Sequence, residues 1–372
     1  MPPRALVIAV IATLVLVLAQ PAGATPYLAP RGKVLVGVSG GRTAHGYVRA
    51  AGKRPAMFQF FVAWGDRFHY AQRRARQARA GLMVHLSTYN GPGTKERITP
   101  RDIALGRGDR YLLALGRGLA GYRHPVYLRL FSEMNNAANP YSALDRKGRP
   151  RGAAHTHYWF RQAWRRIYLA VKGGRVATID RGLRALGLPR LRHLPLQSNV
   201  RAASLLARAD RGRRPPRRRV HPARRLPQPR VAVQWVPMTA GSPDTAANRP
   251  SRYWPGARYL DWVGTDFYSR FPNFTGLSRF YGTRRYARRP FVFGEWGMWG
   301  RDDPGFMRSF FDWVAAHRRV RMLAYYQGNR TTSPFRLYRY PKAARVMRAA
   351  LRSTRYTGRP LRVTGSAAGT DA

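Results

Sequence analysis

Cysteine is absent and acidic residues are scarce in this sequence of 372 residues. The absence of cysteine excludes disulfide bonds, a thiolate nucleophile and a cysteine-based metal site. Asp and Glu together number 16 against 68 Lys and Arg, and glutamate stands at three positions, Glu96, Glu133 and Glu295. Because carboxylates are so few, a glutamate that ends an apolar run is a candidate for chemistry rather than surface decoration.

Lysine is also rare, at six positions, so the net charge of +52 comes mainly from arginine. Abundant Ala, Gly and Pro accompany the arginine, a composition that is also typical of a GC-rich genome. The functional alternative is attraction to a polyanion. We find no zinc-finger spacing, aromatic RNP-like stretch or heptad with a basic region. The sequence therefore predicts no specific nucleic-acid partner, and non-specific association with anionic cell-wall polymers.

The first 24 residues have the pattern of an export signal. Arg4 supplies the positive end, Ala5 to Ala19 is an apolar run, and Ala22-Gly23-Ala24 is a small-residue cleavage site. The run is short for a membrane-spanning helix. We predict a signal peptide over 1–24 and a secreted or cell-surface protein, with an uncleaved N-terminal membrane anchor as the alternative.

Apolar runs alternate with amphipathic stretches after the signal. Continuous apolar strands followed by helices favour a parallel sheet covered on both faces. Eight such strands predict an α/β fold, a (β/α)8 TIM barrel in a single domain, with a doubly wound open sheet as the alternative. The predicted strands are Val34 to Val38, Met57 to Val62, Leu82 to Leu86, Val126 to Phe131, Val231 to Val236, Trp262 to Phe267, Phe291 to Phe293 and Met322 to Tyr326. The predicted helices are Tyr70 to Ala80, Asp102 to Ala120, His157 to Val171, Phe274 to Arg285, Pro304 to His317 and Lys342 to Leu351.

One insertion interrupts this pattern, between the fourth helix and the fifth strand. Residues 189–230 are rich in Arg and Pro and contain no Phe, Tyr or Trp. Such a segment buries too little to order itself, so we predict a disordered insertion, with a cationic tether as the functional alternative. The catalytic domain would then comprise 25–188 and 231–352, followed by a flexible C-terminal tail over 353–372.

Glu133 and Glu295 follow the fourth and seventh predicted strands. In a barrel of this kind the active site forms at the C-terminal ends of the strands, so both carboxylates can face one cavity. A retaining glycosidase uses two carboxyl groups about 5 to 5.5 Å apart, one as acid and one as nucleophile. The alternative for either glutamate is a strand-end salt bridge to one of the many arginines.

Four segments occur in an order that resembles a known family. They are Arg129-Leu-Phe-Ser-Glu-Met-Asn135, Gln234-Trp235-Val-Pro, Asp261-Trp-Val-Gly-Thr-Asp-Phe-Tyr268 and Phe293-Gly-Glu-Trp-Gly297. Together they resemble glycoside hydrolase family 26, which is known for secreted β-mannanases and has β-1,3-xylanase and mixed-linkage glucanase members. The resemblance implies a (β/α)8 barrel with Glu133 as acid/base, Glu295 as nucleophile and Tyr268 hydrogen-bonded to the nucleophile.

The sequence departs from the family pattern beside Glu133. Ser132 stands where the family has His, and Asn136 to Asn139 replace the Gly and aromatic residues that usually help line the sugar cleft. The sugar is therefore left open, with mannan as the family default.

Further candidates surround the two glutamates. We expect substrate-binding roles for a set of residues near the predicted strand ends, namely Arg129, Asn135, Trp235, Tyr268, Trp296 and His85. Trp299 is a further candidate platform for sugar stacking. His155 and His157 have no acidic companion at ligand spacing, so neither a metal nor a cofactor is predicted.

The sequence thus predicts a monomeric, secreted glycoside hydrolase that cleaves a β-linked polysaccharide with retention of configuration. Two alternatives remain open. One is a catalytically weak barrel that binds carbohydrate, and the other is a cationic cell-surface protein that binds polyanions.

Overall fold

A closed barrel of eight parallel strands forms the centre of the computed structural model, which describes residues 27–41, 43–198 and 220–361. The barrel strands are β1 (Val34–Ser39), β2 (Met57–Ala63), β3 (Gly81–Ser87), β4 (Val126–Leu130), β5 (Val231–Trp235), β6 (Trp262–Tyr268), β7 (Phe291–Gly297) and β8 (Val320–Tyr326). Closure comes from β8 pairing with β1, with Met322 opposite Leu35. The predicted (β/α)8 barrel is confirmed, and the closure excludes the open-sheet alternative.

α-Helices follow the barrel strands and cover them, except that β5 is followed by three short 3₁₀ helices within the described residues 236–261. The α-helices are α1 (His45–Ala51), α2 (His69–Gln77), α3 (Pro100–Ala104), α4 (Asp109–Tyr122), α5 (His157–Lys172), α6 (Val176–Ala185), α7 (Phe274–Gly282), α8 (Pro304–Ala316) and α9 (Pro341–Leu351). Side chains of Thr99, Thr156 and Asp303 accept backbone N–H bonds at the starts of α3, α5 and α8. The single helix predicted over Asp102 to Ala120 is wrong, because Gly106 adopts a left-handed φ of 84° and separates α3 from α4.

Two apolar layers hold the barrel together. Inside it, near the N-terminal ends of the strands, each strand contributes a side chain to one cluster that includes Leu35, Met57, Met83, Tyr127, Ala232, Trp262, Val292 and Met322. A larger cluster fills the space between the strands and the surrounding helices. Because the inner cluster plugs the N-terminal end of the barrel, polar side chains are left to the C-terminal end, where active sites of this fold form.

Both ends of the 189–230 insertion are ordered. The backbone N–H of Leu191 donates to Asp180 Oδ1 at 2.8 Å, and Leu196–Ser198 pairs antiparallel with Val220–Pro222. Farther along, Leu226 is buried and its strand, Arg225–Leu226, pairs with Gly174–Arg175. The prediction of disorder is therefore wrong for 189–198 and 220–230, whose backbone groups find partners on α6, on Gly174–Arg175 and within the insertion itself. Residues 199–219 lie outside the described part of the chain.

The two ends of the described chain meet at the N-terminal face of the barrel. Tyr356–Thr357 pairs in parallel with β1, and the N–H of Val34 donates to Arg355 O at 2.8 Å. Tyr27 and Leu361 both pack against the inner cluster. A flexible tail from residue 353 is thus wrong as far as 361, while 362–372 and the predicted signal peptide lie outside the described residues. Within 27–41, 43–198 and 220–361, no helix is long and apolar enough to cross a bilayer.

Candidate active site

Glu133 projects from a turn that ends β4. Phe131 and Glu133 both have left-handed backbone conformations, with φ of 40° and 49°. Such values are uncommon for residues other than glycine and often occur at functional sites. The N–H of Glu133 donates to Val236 O at 2.8 Å, which fixes this turn to the chain that follows β5. The strand thus ends before Glu133.

Glu295 lies on a β-bulge in β7. Thr265 of β6 is opposite Phe293, but the next residue, Asp266, is opposite Glu295, so Gly294 is the extra residue. The bulge turns Glu295 toward the barrel interior and Trp296 away from it. A Cβ atom on Gly294 would lie 2.8 Å from Arg129 Nε, so glycine is needed at this close approach.

Three side chains donate hydrogen bonds to the Glu295 carboxylate. Oε1 accepts from Arg129 Nη1 at 2.6 Å and from Gln59 Nε2 at 3.2 Å, and Oε2 accepts from the Tyr268 hydroxyl at 2.8 Å. The Glu295 side chain is only 11% exposed. Donors on both oxygens fix the orientation of the carboxylate, and the bond from Arg129 is charge-assisted.

Asp266 completes a buried ionic network. Its Oδ2 pairs with Arg129 Nη2, and its Oδ1 accepts from the backbone N–H of Glu295 at 2.7 Å. Burial raises the pKa of Asp266, and the neighbouring Arg129 opposes that rise. Arg129 is itself fully buried between the two carboxylates, so it positions Glu295 and has no surface for substrate. Its predicted role in substrate binding is therefore wrong.

Glu133 has a different environment. Asn136 Nδ2 donates to Glu133 Oε2 at 3.0 Å, and the side chain is half-buried. Burial raises the pKa of Glu133, and the negative charge of Glu295 raises it further, whereas Asn136 opposes the rise. The arrangement favours a protonated Glu133 beside an anchored Glu295 carboxylate. Two carboxyl groups whose environments differ in this way suit the roles of acid and base.

His85 on β3 contacts the residue before Glu133. Its Nε2 lies 3.0 Å from Ser132 Oγ, and its ring packs edge-on against Phe61 at 5.1 Å between centroids. Burial lowers the pKa of His85, and the charge of Arg129 lowers it further; both effects favour the neutral imidazole. His85 is half-buried, a position compatible with the cleft-lining role predicted for it.

Three other residues predicted to contact substrate, namely Trp235, Trp296 and Asn135, have fully buried side chains, so these predictions are wrong. Trp235 packs outside β5 against Trp254, with ring centroids 4.8 Å apart, and Trp296 stacks on Phe310 of α8 at 4.0 Å. The Asn135 side chain forms hydrogen bonds with backbone groups. Its Oδ1 accepts from Met238 N at 2.9 Å, and its Nδ2 donates to two carbonyl oxygens of the same loop. It therefore ties the turn after β4 to the loop after β5.

Half-buried rings lie beside Glu295 and form what we call the aromatic wall, consisting of Tyr268, Trp299, Tyr326 and Phe335. Phe335 contacts the other three, with centroid distances of 5.4 Å to Tyr268, 5.0 Å to Trp299 and 4.8 Å to Tyr326. Such rings offer faces on which a sugar can stack. Phe335 and Tyr326 were not among the predicted site residues, and no sequence motif marks Phe335.

Gln59 and Asp266 were also not among the predicted site residues. Gln59 is fully buried and bonds Glu295. A polar residue within the otherwise apolar β2 was a usable signal for it. The third glutamate, Glu96, has an ordinary role: it accepts from Thr88 Oγ1 at 2.8 Å and pairs with His155 at 2.7 Å.

Comparison of the sequence with protein-family models and with curated proteins gave no match. Comparison of the fold gave clear matches. The Bacillus subtilis mannanase BCman is 14% identical, with 89% of this chain and 88% of that chain covered and a TM-score of 0.51. GH26A from a Muricauda species is 12% identical, with 90% and 97% covered and a TM-score of 0.54. A Cellulomonas fimi endo-beta-1,4-mannanase is 14% identical, with 88% and 72% covered and a TM-score of 0.51. At such identities these similarities establish the shared barrel fold.

Proposed function

We propose that this protein is a retaining glycoside hydrolase that cleaves a β-linked polysaccharide, with Glu295 as nucleophile and Glu133 as acid/base. The observation that carries the proposal is the difference between the environments of the two carboxyl groups. Arg129, Gln59 and Tyr268 hold Glu295, whereas Glu133 accepts a hydrogen bond from the neutral Asn136 amide and has a pKa raised by burial and by Glu295. A double displacement requires one carboxyl group as nucleophile and a second as proton donor.

The reaction would proceed in two balanced steps. In the first, the Glu295 carboxylate attacks the anomeric carbon, the glycosidic C–O bond breaks, and Glu133 gives its proton to the departing oxygen. In the second, ionised Glu133 takes a proton from water, the water oxygen attacks the anomeric carbon, and the bond to Glu295 breaks. Both carboxyl groups regain their starting protonation states.

For the substrate we propose a β-linked glycan, with mannan to be tested first. Two of the three solved structures compared above are named as mannanases. The aromatic wall beside Glu295 offers stacking surfaces for sugars. Ser132 and Asn136 to Asn139, which differ from the family pattern, leave other sugars open. We further propose that the protein is secreted or held at the cell surface through its N-terminal 24 residues, acts as a monomer and has no specific nucleic-acid partner.

The test is an asymmetry between two alanine variants on an aryl β-glycoside with an activated leaving group. Glu295→Ala should abolish turnover, because no glycosyl-enzyme forms. Glu133→Ala should still form the glycosyl-enzyme and release a burst of phenol, since a good leaving group needs no proton. Glu96→Ala removes the third glutamate, which pairs with His155 outside this network, and serves as the matched control with activity retained.

Polysaccharide specificity is then measured with β-1,4-mannan, β-1,3-xylan and mixed-linkage β-glucan. Equal losses in the two variants would refute the assignment of roles. Tight binding of a glycan without any turnover by the wild-type protein would instead favour a carbohydrate-binding barrel.

A further inference from the structure

A cavity of about 390 Å³ opens in the loop between β4 and α5. We call it the β4 pocket; it is lined by Ala137, Ala138, Asp145, Arg146, Lys147, Arg149 and Arg151. Its volume lies within the range of small-ligand sites. None of the roles proposed above for the catalytic network uses these residues.

The β4 pocket adjoins Glu133 through Asn136. The Asn136 side chain donates to Glu133 Oε2 at 3.0 Å with its nitrogen and accepts from Ala138 N at 3.0 Å with its oxygen. Two steps of about 3.8 Å along the chain place the Ala138 Cα within about 7.6 Å of the Asn136 Cα. The pocket wall therefore begins two residues along the chain from the side chain that bonds Glu133.

The pocket carries an excess of positive charge. Four of its seven lining residues are Lys or Arg, compared with 68 of 372 in the whole chain. Asp145, the acidic lining residue, pairs with Arg149 and accepts the backbone N–H groups of Lys147 and Arg149. Within the part of the chain that the structure describes, Arg146, Lys147 and Arg151 form no ion pair. Their charges are thus available to an anion.

Arg151 gives the pocket a fixed element. Its Nη2 donates to Ala137 O at 2.6 Å and to Leu144 O at 3.1 Å, and its Nε donates to Ser142 O at 3.1 Å. Carbonyl oxygens hold the guanidinium in place but do not neutralise it. The charge at the pocket wall is therefore anchored as well as unpaired.

The β4 pocket has no aromatic residue in its lining. Neutral sugars are commonly held by stacking on rings, and in this protein the aromatic wall beside Glu295 supplies them. The two sides of the catalytic pair thus differ in chemistry: rings lie beside the nucleophile, and cations lie beside the acid. In a double displacement the acid protonates the leaving oxygen, so its side of the cleft receives the leaving part of the glycan.

We propose that the β4 pocket binds an anionic group, a carboxylate or a phosphate ester, on the leaving-group side of the glycan. This inference rests on the proposed hydrolase function and assigns to it an acidic substrate class. The charged group would be recognised by Arg146, Lys147 and Arg151.

The test uses three probes that differ only at the reducing end of β-1,4-mannotetraose: the neutral alditol, the aldonate and the alditol bearing a terminal phosphate. Because exposed charge pairs contribute little individually, we expect the aldonate or the phosphate to exceed the alditol in kcat/KM by about five-fold or more. The double variant Arg146→Gln with Lys147→Gln should remove this preference and leave alditol cleavage unchanged. Preference for one anionic probe identifies whether a carboxylate or a phosphate is recognised.

A matched variant, Arg181→Gln with Arg345→Gln, removes two exposed positive charges from α6 and α9 and should keep the preference. If it loses the preference equally, overall charge is responsible and the pocket is not. Equal cleavage of all three probes would overturn the proposal that the β4 pocket binds an anion, and the proposed hydrolase function would still hold. If none is cleaved, calorimetric affinities of the same probes decide: tighter anionic binding that depends on Arg146 and Lys147 supports the pocket, and equal affinities or no binding overturn it.

Discussion

Replacing Arg129 by Met should destabilise the protein strongly and also impair catalysis. The guanidinium is fully buried and pairs with Asp266 and Glu295, whose side chains are 2% and 11% exposed. Removing one partner of a buried ion pair costs about 3–5 kcal/mol, because a desolvated charge is left without compensation. Natural domains have a free energy of unfolding of about 5–15 kcal/mol, so this loss is a large fraction of the total.

Two other arginines provide controls for this substitution. Arg166 is fully buried and forms a bidentate pair with buried Asp109, at 2.7 and 2.5 Å. Arg166→Met should therefore cause a similar loss of stability. Arg97 pairs with Asp66 at the surface, where both side chains are about two-fifths exposed, at 39% and 41%. Arg97→Met should cost less than about 1 kcal/mol.

Activity separates the two buried arginines. Loss of a charge-assisted hydrogen bond to Glu295 is worth about 1.5–3 kcal/mol, so kcat of Arg129→Met should fall about 10- to 150-fold at a temperature where the variant stays folded. Arg166→Met should keep its kcat under the same conditions. Stability is measured by urea unfolding followed by circular dichroism, and kcat with an aryl glycoside. An Arg129 variant as stable as the Arg97 variant, or as active as the Arg166 variant, would refute the reasoning.

Other side chains of the site give further expectations. Tyr268→Phe removes the hydrogen bond to Glu295 Oε2, so kcat should fall about 10-fold or more while the unfolding midpoint stays near that of the wild type. The raised pKa of Glu133 means that the protonated acid persists above the usual range of a glutamate. The rate of glycosyl-enzyme formation should therefore fall only as pH rises through that raised pKa, and this alkaline limb should vanish in Glu133→Ala. Trp235→Ala should cost about 3–5 kcal/mol of stability with KM unchanged, whereas Trp299→Ala should raise KM with little effect on unfolding. Steady-state kinetics and urea unfolding of each variant check these outcomes.

The strands of the barrel were predictable because their apolar runs are continuous. A parallel strand buried on both faces selects the same residue types throughout, as in Phe291–Phe293. Helices were less certain. α1 and α6 were not predicted, since α1 has seven residues and α6 begins at Val176, one residue after Gly173-Gly174. The split between α3 and α4 depends on one left-handed glycine within an otherwise helical pattern.

At the candidate site, the catalytic roles of Glu133 and Glu295 stay predictions, whereas several of their neighbours were misplaced. Successive residues of a strand face opposite sides, so an inward Glu295 implies an outward Trp296, and strand alternation alone argues against Trp296 as a sugar contact. The bulge at Gly294 was not predictable, because it reflects the close approach of Arg129 from another strand. Asn135 was also misassigned, because its partners lie in a loop about one hundred residues away in sequence.

The two ends of the described chain, near residues 27 and 361, meet beneath the barrel, and this arrangement has a consequence for protein engineering. Lys33 Nζ donates to Thr354 O at 2.6 Å, and the N–H of Val34 donates to Arg355 O, on the face opposite Glu133 and Glu295. A purification tag, a surface linker or a partner domain fused at residue 27 or residue 361 would therefore leave the face that carries Glu133 and Glu295 open to a polymer. A short peptide joining residues near 27 and 361 would also allow circular permutation, with new termini cut into an exposed loop.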